Sequence, residues 1–169
     1  ISFTVKDNLL LAGTYNSGVF ISSNNGNSWI QSNSGLTTFT VNFLFTENNN
    51  IYLCSDNGIY RSTNNGNNWI NISNNLPSGN EVKTVTASGN IILAGTTLGG
   101  GIFKSTNGGL NWYQSNLGFP DYPVIRYLNN VNGIIFAATG FGVYYSVNSG
   151  DSWEPAGESL YYPGNSCIA

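Results

Sequence analysis

Ser22-Ser23-Asn24-Asn25-Gly26-Asn27-Ser28-Trp29 returns three times in this chain. It comes back as Ser62-Thr63-Asn64-Asn65-Gly66-Asn67-Asn68-Trp69, as Ser105-Thr106-Asn107-Gly108-Gly109-Leu110-Asn111-Trp112, and as Ser146-Val147-Asn148-Ser149-Gly150-Asp151-Ser152-Trp153. The shared pattern is Ser-x-Asn-x-Gly-x-x-Trp. Its four tryptophans are the only ones among 169 residues, and they stand 40, 43 and 41 positions apart. A fixed period of this length means that the chain is built from stacked copies of one supersecondary unit.

Outward from each tryptophan the rest of the unit falls into register. Just upstream is Gly-apolar-aromatic-x-Ser, as in Gly18-Val19-Phe20-Ile21-Ser22 and Gly58-Ile59-Tyr60-Arg61-Ser62. Before that comes an apolar run ending in small residues (9–14, 51–55, 91–96, 134–139), and earlier still a β-prone run (1–5, 40–45, 82–87, 124–128). Each segment is short, rich in β-branched and aromatic residues, and bounded by Asn, Gly or Ser, which is the signature of a strand. No stretch carries apolar residues at helical spacing, so no helix is expected. Asn49-Asn50, Ser88-Gly89-Asn90 and Asn132-Gly133 read as tight turns between the first two strands, because Asn and Gly tolerate positive φ. The fourth strand starts near the tryptophan. Four antiparallel strands per unit make one blade, so the expected fold is an all-β propeller with blades near 1–36, 37–76, 80–118 and 122–160. Residues 161–169 read as the start of a further blade or a closing strand.

The eight-residue pattern resembles the Asp-box, or bacterial neuraminidase repeat, with Asn in the Asp position of all four copies. That resemblance covers residues 1 to about 157. It implies a hairpin between the third and fourth strands held by Ser22, Asn24, Gly26 and Trp29 and by Ser62, Asn64, Gly66 and Trp69. The same roles fall to Ser105, Asn107, Gly109 and Trp112, and to Ser146, Asn148, Gly150 and Trp153. The side-chain oxygen would accept backbone bonds within the turn, and the tryptophan would pack between blades. Such propellers usually close with six or more blades. Both ends of the sequence read as cuts through a longer periodic chain, so four blades are expected to form part of a larger ring or half of an oligomeric one.

Composition narrows the function. Only 8% of residues are charged and the net charge is −3, while 28 residues are asparagine. Five scattered Lys and Arg cannot neutralise a run of phosphates, so no nucleic-acid partner is expected. Nor does any segment approach the length of a membrane span. A low-charge surface of Asn, Ser, Thr and Gly suits an extracellular or cell-surface protein. Cys54 aligns with Ala12, Ala94 and Ala137 and reads as a small buried thiol. A Cys54–Cys167 disulfide would require a small closed ring to bring the two together.

Chemistry is sparse. Histidine is absent, which removes the commonest general base and metal ligand. The two cysteines cannot make a zinc site, the Asn-Gly turns lack the carboxylates a hard cation needs, and no cofactor or metal is expected. Glycoside hydrolysis would need two carboxylates across a cleft. The rim opposite the eight-residue turns offers Asp56, Glu81, Asp121 and Glu158. Arg61 and Arg126 cannot make the three-arginine clamp of a sialidase. A segment of a hydrolase propeller is therefore the alternative to a non-catalytic module.

That opposite rim, formed by the turns between second and third strands and by the linkers between blades, varies from blade to blade, and variable connections carry function. Four of the five prolines lie in its linkers, where no ladder bond is lost. Its ligand-binding candidates are Tyr15, Asp56, Phe119, Asp121, Tyr122, Arg126, Phe141, Tyr161 and Tyr162. Aromatic faces beside amides suit sugar rings, although a linker aromatic also commonly packs over the next blade. Arg126 reads as a partner for Asp121. The expected partner is a glycan or a protein, with self-association through open blade edges as a structural alternative.

Overall fold

The computed structural model describes residues 2–77 and 81–157. Among them the chain forms four antiparallel sheets of four strands each and no helix. The first sheet is β1 (Ser2–Lys6), β2 (Leu9–Gly13), β3 (Val19–Ser22) and β4 (Ile30–Gln31). The second is β5 (Phe43–Glu47), β6 (Asn50–Ser55), β7 (Gly58–Ser62) and β8 (Ile70–Asn71). The third is β9 (Val82–Ser88), β10 (Ile91–Thr96), β11 (Ile102–Ser105) and β12 (Tyr113–Gln114). The fourth is β13 (Ile125–Val131), β14 (Ile134–Thr139), β15 (Gly142–Ser146) and β16 (Glu154–Pro155). Each sheet is a meander in sequence order, so the fold is a β-propeller arc of four blades.

Local register differs from the sequence reading in three places. β5 begins at Phe43 rather than at residue 40, because Val41 N and Asn42 N bond to Thr14 O and Cys54 O outside the β5–β6 ladder. The β5–β6 turn is Asn48-Asn49, with Asn48 at φ 50° and Asn50 already in β6. Cys54 pairs with Ile59, as Gly13 pairs with Val19 and Gly95 with Ile102. Leu53 is thus the residue that matches Ala12 and Ala94, and Cys54 lies one step further on, facing the next blade.

The core is divided among three junctions between neighbouring sheets. Strand side chains alternate between the two faces of each blade, so the two inner blades pack a neighbour on both sides. Leu11 and Val19 of the first sheet meet Leu44, Ile51, Leu53, Tyr60 and Trp69 of the second. Tyr52, Cys54 and Ile59 meet Val85, Ile92, Ala94, Phe103 and Trp112. Leu93 and Ile102 meet Leu128, Ile135, Ala137, Tyr144 and Trp153. The tryptophans stitch these junctions. Trp69 Nε1 donates to Ser32 O at 3.0 Å, Trp112 Nε1 to Ile72 O at 2.8 Å and Trp153 Nε1 to Ser115 O at 2.8 Å, each acceptor belonging to the preceding blade. Polar side chains in or just before the first strands add cross-links: Leu44 N donates to Ser2 Oγ, Asn42 Nδ2 to Val82 O and Leu128 N to Thr84 Oγ1.

The turn between third and fourth strands has one geometry in all four blades. The asparagine Oδ1 accepts from the serine hydroxyl and from the backbone N–H four residues on, as in Ser62 Oγ at 2.9 Å and Asn68 N at 3.0 Å for Asn64. The serine Oγ in turn accepts from the glycine N–H at 2.9 Å. The glycine and the residue before it both have positive φ, as in Asn65 at 60° and Gly66 at 82°.

Candidate functional site

On the rim opposite the eight-residue turns the β6–β7 turn faces the start of β9. Asp56 Oδ1 accepts from Asn42 Nδ2 at 2.9 Å, and Asn42 Oδ1 accepts from Lys83 Nζ at 3.4 Å. Lys83 is also ion-paired with Glu81, whose other oxygen accepts from Thr97 Oγ1 at 2.9 Å. Burial pushes the Glu81 carboxyl up. Hydrogen bonding with Lys83, Thr97 and Asp56, together with the Lys83 charge, outweighs that and holds it below the usual glutamate range. Two of the four expected rim carboxylates are therefore brought into one network, linked through Asn42 and Lys83.

A second feature lies along the linker from β12 to β13. Gln114, Asn116, Leu117, Phe119, Pro120, Asp121 and Tyr122 line a shallow open concavity of about 520 Å³. Leu117 and Tyr122 are 72% and 58% exposed. Phe119 turns the other way: its ring stacks on Trp153 at 5.5 Å and meets Tyr144 at 4.7 Å. It occupies the place held by Leu36 and Leu76 in the earlier linkers, which pack on their own junctions. The Asn116 amide is likewise committed, accepting from Ile102 N at 2.8 Å and donating to Gly100 O at 3.1 Å. Asp121 accepts from the N–H of Tyr122 at 2.7 Å.

The remaining candidates lie apart from these two features. Tyr15 is 71% exposed in the β2–β3 turn. Phe141 is half-buried against the third junction. Arg126 is exposed and makes no ion pair with Asp121, which corrects the expected pairing: Arg126 stands at the register shift of β13, while Asp121 lies in the linker and accepts from the N–H of Tyr122. Tyr161, Tyr162, Glu158 and Cys167 lie outside the described residues. Among the described residues no cluster of three His, Cys, Asp or Glu could hold a metal ion, and no helix is long and apolar enough to cross a membrane.

Sequence reasoning missed Asn42, Lys83 and Thr97, because nothing in their local sequence marks them; they meet only when neighbouring blades stack. It also missed a coupling that was visible. Asn33, Ser73 and Asn116 each stand four residues past a tryptophan and each cap the start of a third strand, at Val19 N, Ile59 N and Ile102 N. A Cβ on Gly18, Gly58 or Gly101 would lie 2.1–2.3 Å from that capping side chain. The Gly fifteen residues before a polar residue was the signal.

No protein-family model and no curated protein matches the chain. Solved structures do. An ancestral GH74 enzyme is 21% identical with a TM-score of 0.71, over 89% of this chain and 23% of that one. The extracellular domain of a protein described as a hybrid two-component system from B. thetaiotaomicron is 20% identical with a TM-score of 0.71, over 91% of this chain and 21% of that one. The GH74 xyloglucanase from Xanthomonas campestris is 16% identical with a TM-score of 0.68, over 89% of this chain and 28% of that one. This chain thus spans 21–28% of the length of these structures, and the likeness it shares with them is that of the β-propeller fold.

Proposed function

We propose that this chain is a non-catalytic β-propeller interaction module that takes a glycan or a protein segment on the rim opposite its Ser-x-Asn-x-Gly-x-x-Trp turns. The observation that carries the reading is the concavity beside Tyr122, where an exposed aromatic and an exposed leucine flank backbone and amide groups. Sugars offer an apolar C–H face and polar edges to such a surface. The four uniform turns support an Asp-box kinship, with their side chains spent on holding hairpins. A low surface charge and a neighbour that is an extracellular domain support a secreted or cell-surface setting.

The hydrolase reading draws on the GH74 neighbours and on the Asp56–Glu81 pair. The geometry favours binding instead. Glycosidase carboxyls stand roughly 5–9.5 Å apart with an anomeric centre between them, whereas Glu81 is engaged by Lys83 and Thr97 and Asp56 by the Asn42 amide. Electrophoresis of the chain through gels containing xyloglucan, beside an array of other oligosaccharides, tests the proposal. Retardation that Tyr122→Ala abolishes with an unchanged circular dichroism spectrum is the expected result. Release of reducing sugar that Asp56→Asn abolishes would replace it with the hydrolase reading. Silence on every glycan would leave only the protein-ligand branch.

A further inference from the structure

The three internal junctions have one plan, and the two ends of the arc carry its unmatched halves. On the face that each blade turns to its predecessor, Trp69, Trp112 and Trp153 are 2–4% exposed, but Trp29 is 37% exposed. Among the described residues its indole meets no carbonyl of another blade and bonds instead to its own Gly26 O at 3.1 Å. Around it Phe3 and Val5 are 67% and 58% exposed, and Phe20 is half-buried where Tyr60 and Phe103 are buried. On the face that each blade turns to its successor, Leu11, Tyr52 and Leu93 are buried, whereas Phe136 at the same ladder position is half-buried. Val143 stands to Val19, Ile59 and Ile102 in the same way, and Val131 and Ile134 are exposed beside it.

The polar partners are matched as well. The tryptophan acceptors Ser32, Ile72 and Ser115 each donate their own N–H to Val19, Ile59 and Ile102, and Ala156 N does the same to Val143 O at 2.9 Å. Ala156 O is thus the fourth acceptor of the series, and no described blade supplies it with a tryptophan. Arg61 and Lys104 reach across to the next turn, at Gly108 O and Asp151. Tyr145 holds their position and bends back onto Glu154 of its own blade.

We infer that the Trp29 face of the first sheet docks on the Phe136–Val143 face of the fourth sheet in a second copy of this chain, with Trp29 Nε1 donating to Ala156 O across the contact. Among the residues named on these two faces the single charged side chain is Glu154, held by the Tyr145 hydroxyl of its own blade, and the contact continues the junction already repeated three times within the chain. It joins two different faces, so two copies close into a ring if the rotation allows and otherwise extend head to tail.

Sedimentation equilibrium of the 169-residue chain, with Trp29→Glu and Ile134→Asp variants, tests this. The expected result is a mass of at least twice 18.1 kDa that falls to the monomer in either variant, with the circular dichroism spectrum unchanged. An equimolar mixture of the two variants, which retains one intact face on each partner, should recover a dimer and nothing larger. A wild-type chain that stays monomeric at high micromolar concentration overturns the inference. So does a dimer that persists in one of the variants, which would mean a contact using a single face twice. Should either variant unfold, Val131→Lys and Val5→Lys at the exposed margins of the same two faces serve in its place.

Discussion

An asparagine at the head of each turn does with a neutral amide what a carboxylate could do with charge. Its one oxygen holds both the serine hydroxyl and a backbone N–H, which fixes the loop from inside. Asn64→Ala removes both bonds and is expected to cost about 1–3 kcal/mol, while Asn64→Asp keeps them; urea denaturation midpoints for the pair check this. The residue preceding the turn glycine is the less obvious constraint. It sits in the left-handed region in every copy, filled by Asn25, Asn65, Gly108 and Ser149. Asn and Gly enter that region readily and serine does not. Ser149→Gly should therefore stabilise the protein by about 1 kcal/mol, read as a rise in Tm; a fall would mean that the Ser149 side chain makes a contact worth more than its backbone strain. The repeat made Ser, Asn, Gly and Trp legible at once. It hid this position because three residue types share it, and only the backbone angle shows what they have in common.

Among elements, the unit of stability is the junction, and a blade contributes by what it lends to its neighbours. Trp69→Phe strands Ser32 O and opens a gap in a closed interface, so a loss of about 2 kcal/mol is expected. Trp29→Phe, at a site left 37% exposed in the single chain, should cost much less in the monomer, and equilibrium unfolding of the two variants side by side in dilute solution measures the difference. The rim network adds a pH dependence. Glu81 is held below its ordinary value, so its contribution is fully present above the unfolded glutamate pKa and is lost as pH falls through the lower folded value. Glu81→Gln should flatten the acid limb of the stability curve, whereas an unchanged limb would show that the network holds no net charge preference. Strand order and the blade plan were legible because each run is short, alternating and punctuated by Asn and Gly. The site was less so. Tyr122 could be picked out by its place in a Pro-rich linker, but Phe119, three residues earlier and of the same chemical kind, is consumed by Trp153. Only alignment of the linkers, which places Phe119 with Leu36 and Leu76, separates the two.

Among the described residues, the core clusters join successive sheets, and the Phe43 and Tyr127 rings meet between the second and the fourth. Such a chain behaves as a line of coupled units, with roughly three repeats needed before a stack is stable. Opening the middle junction would leave two pairs of blades, each below that number, so the middle junction should not open without the rest. Cys54 reports this directly. It is fully buried in that junction, and burial pushes its thiol far above the ordinary cysteine range, so it reacts only from the opened state. Labelling with a thiol reagent, followed by mass spectrometry of the Cys54 peptide, should be accelerated by Trp112→Phe, which weakens the same junction. It should be accelerated to a similar degree by Trp69→Phe in the junction before it. With about 2 kcal/mol lost, the increase is roughly thirtyfold when reclosing outpaces labelling. If Trp69→Phe left the Cys54 rate at the wild-type value, the blades would be opening one junction at a time, and the line of units would be far more weakly coupled than its shared interfaces imply.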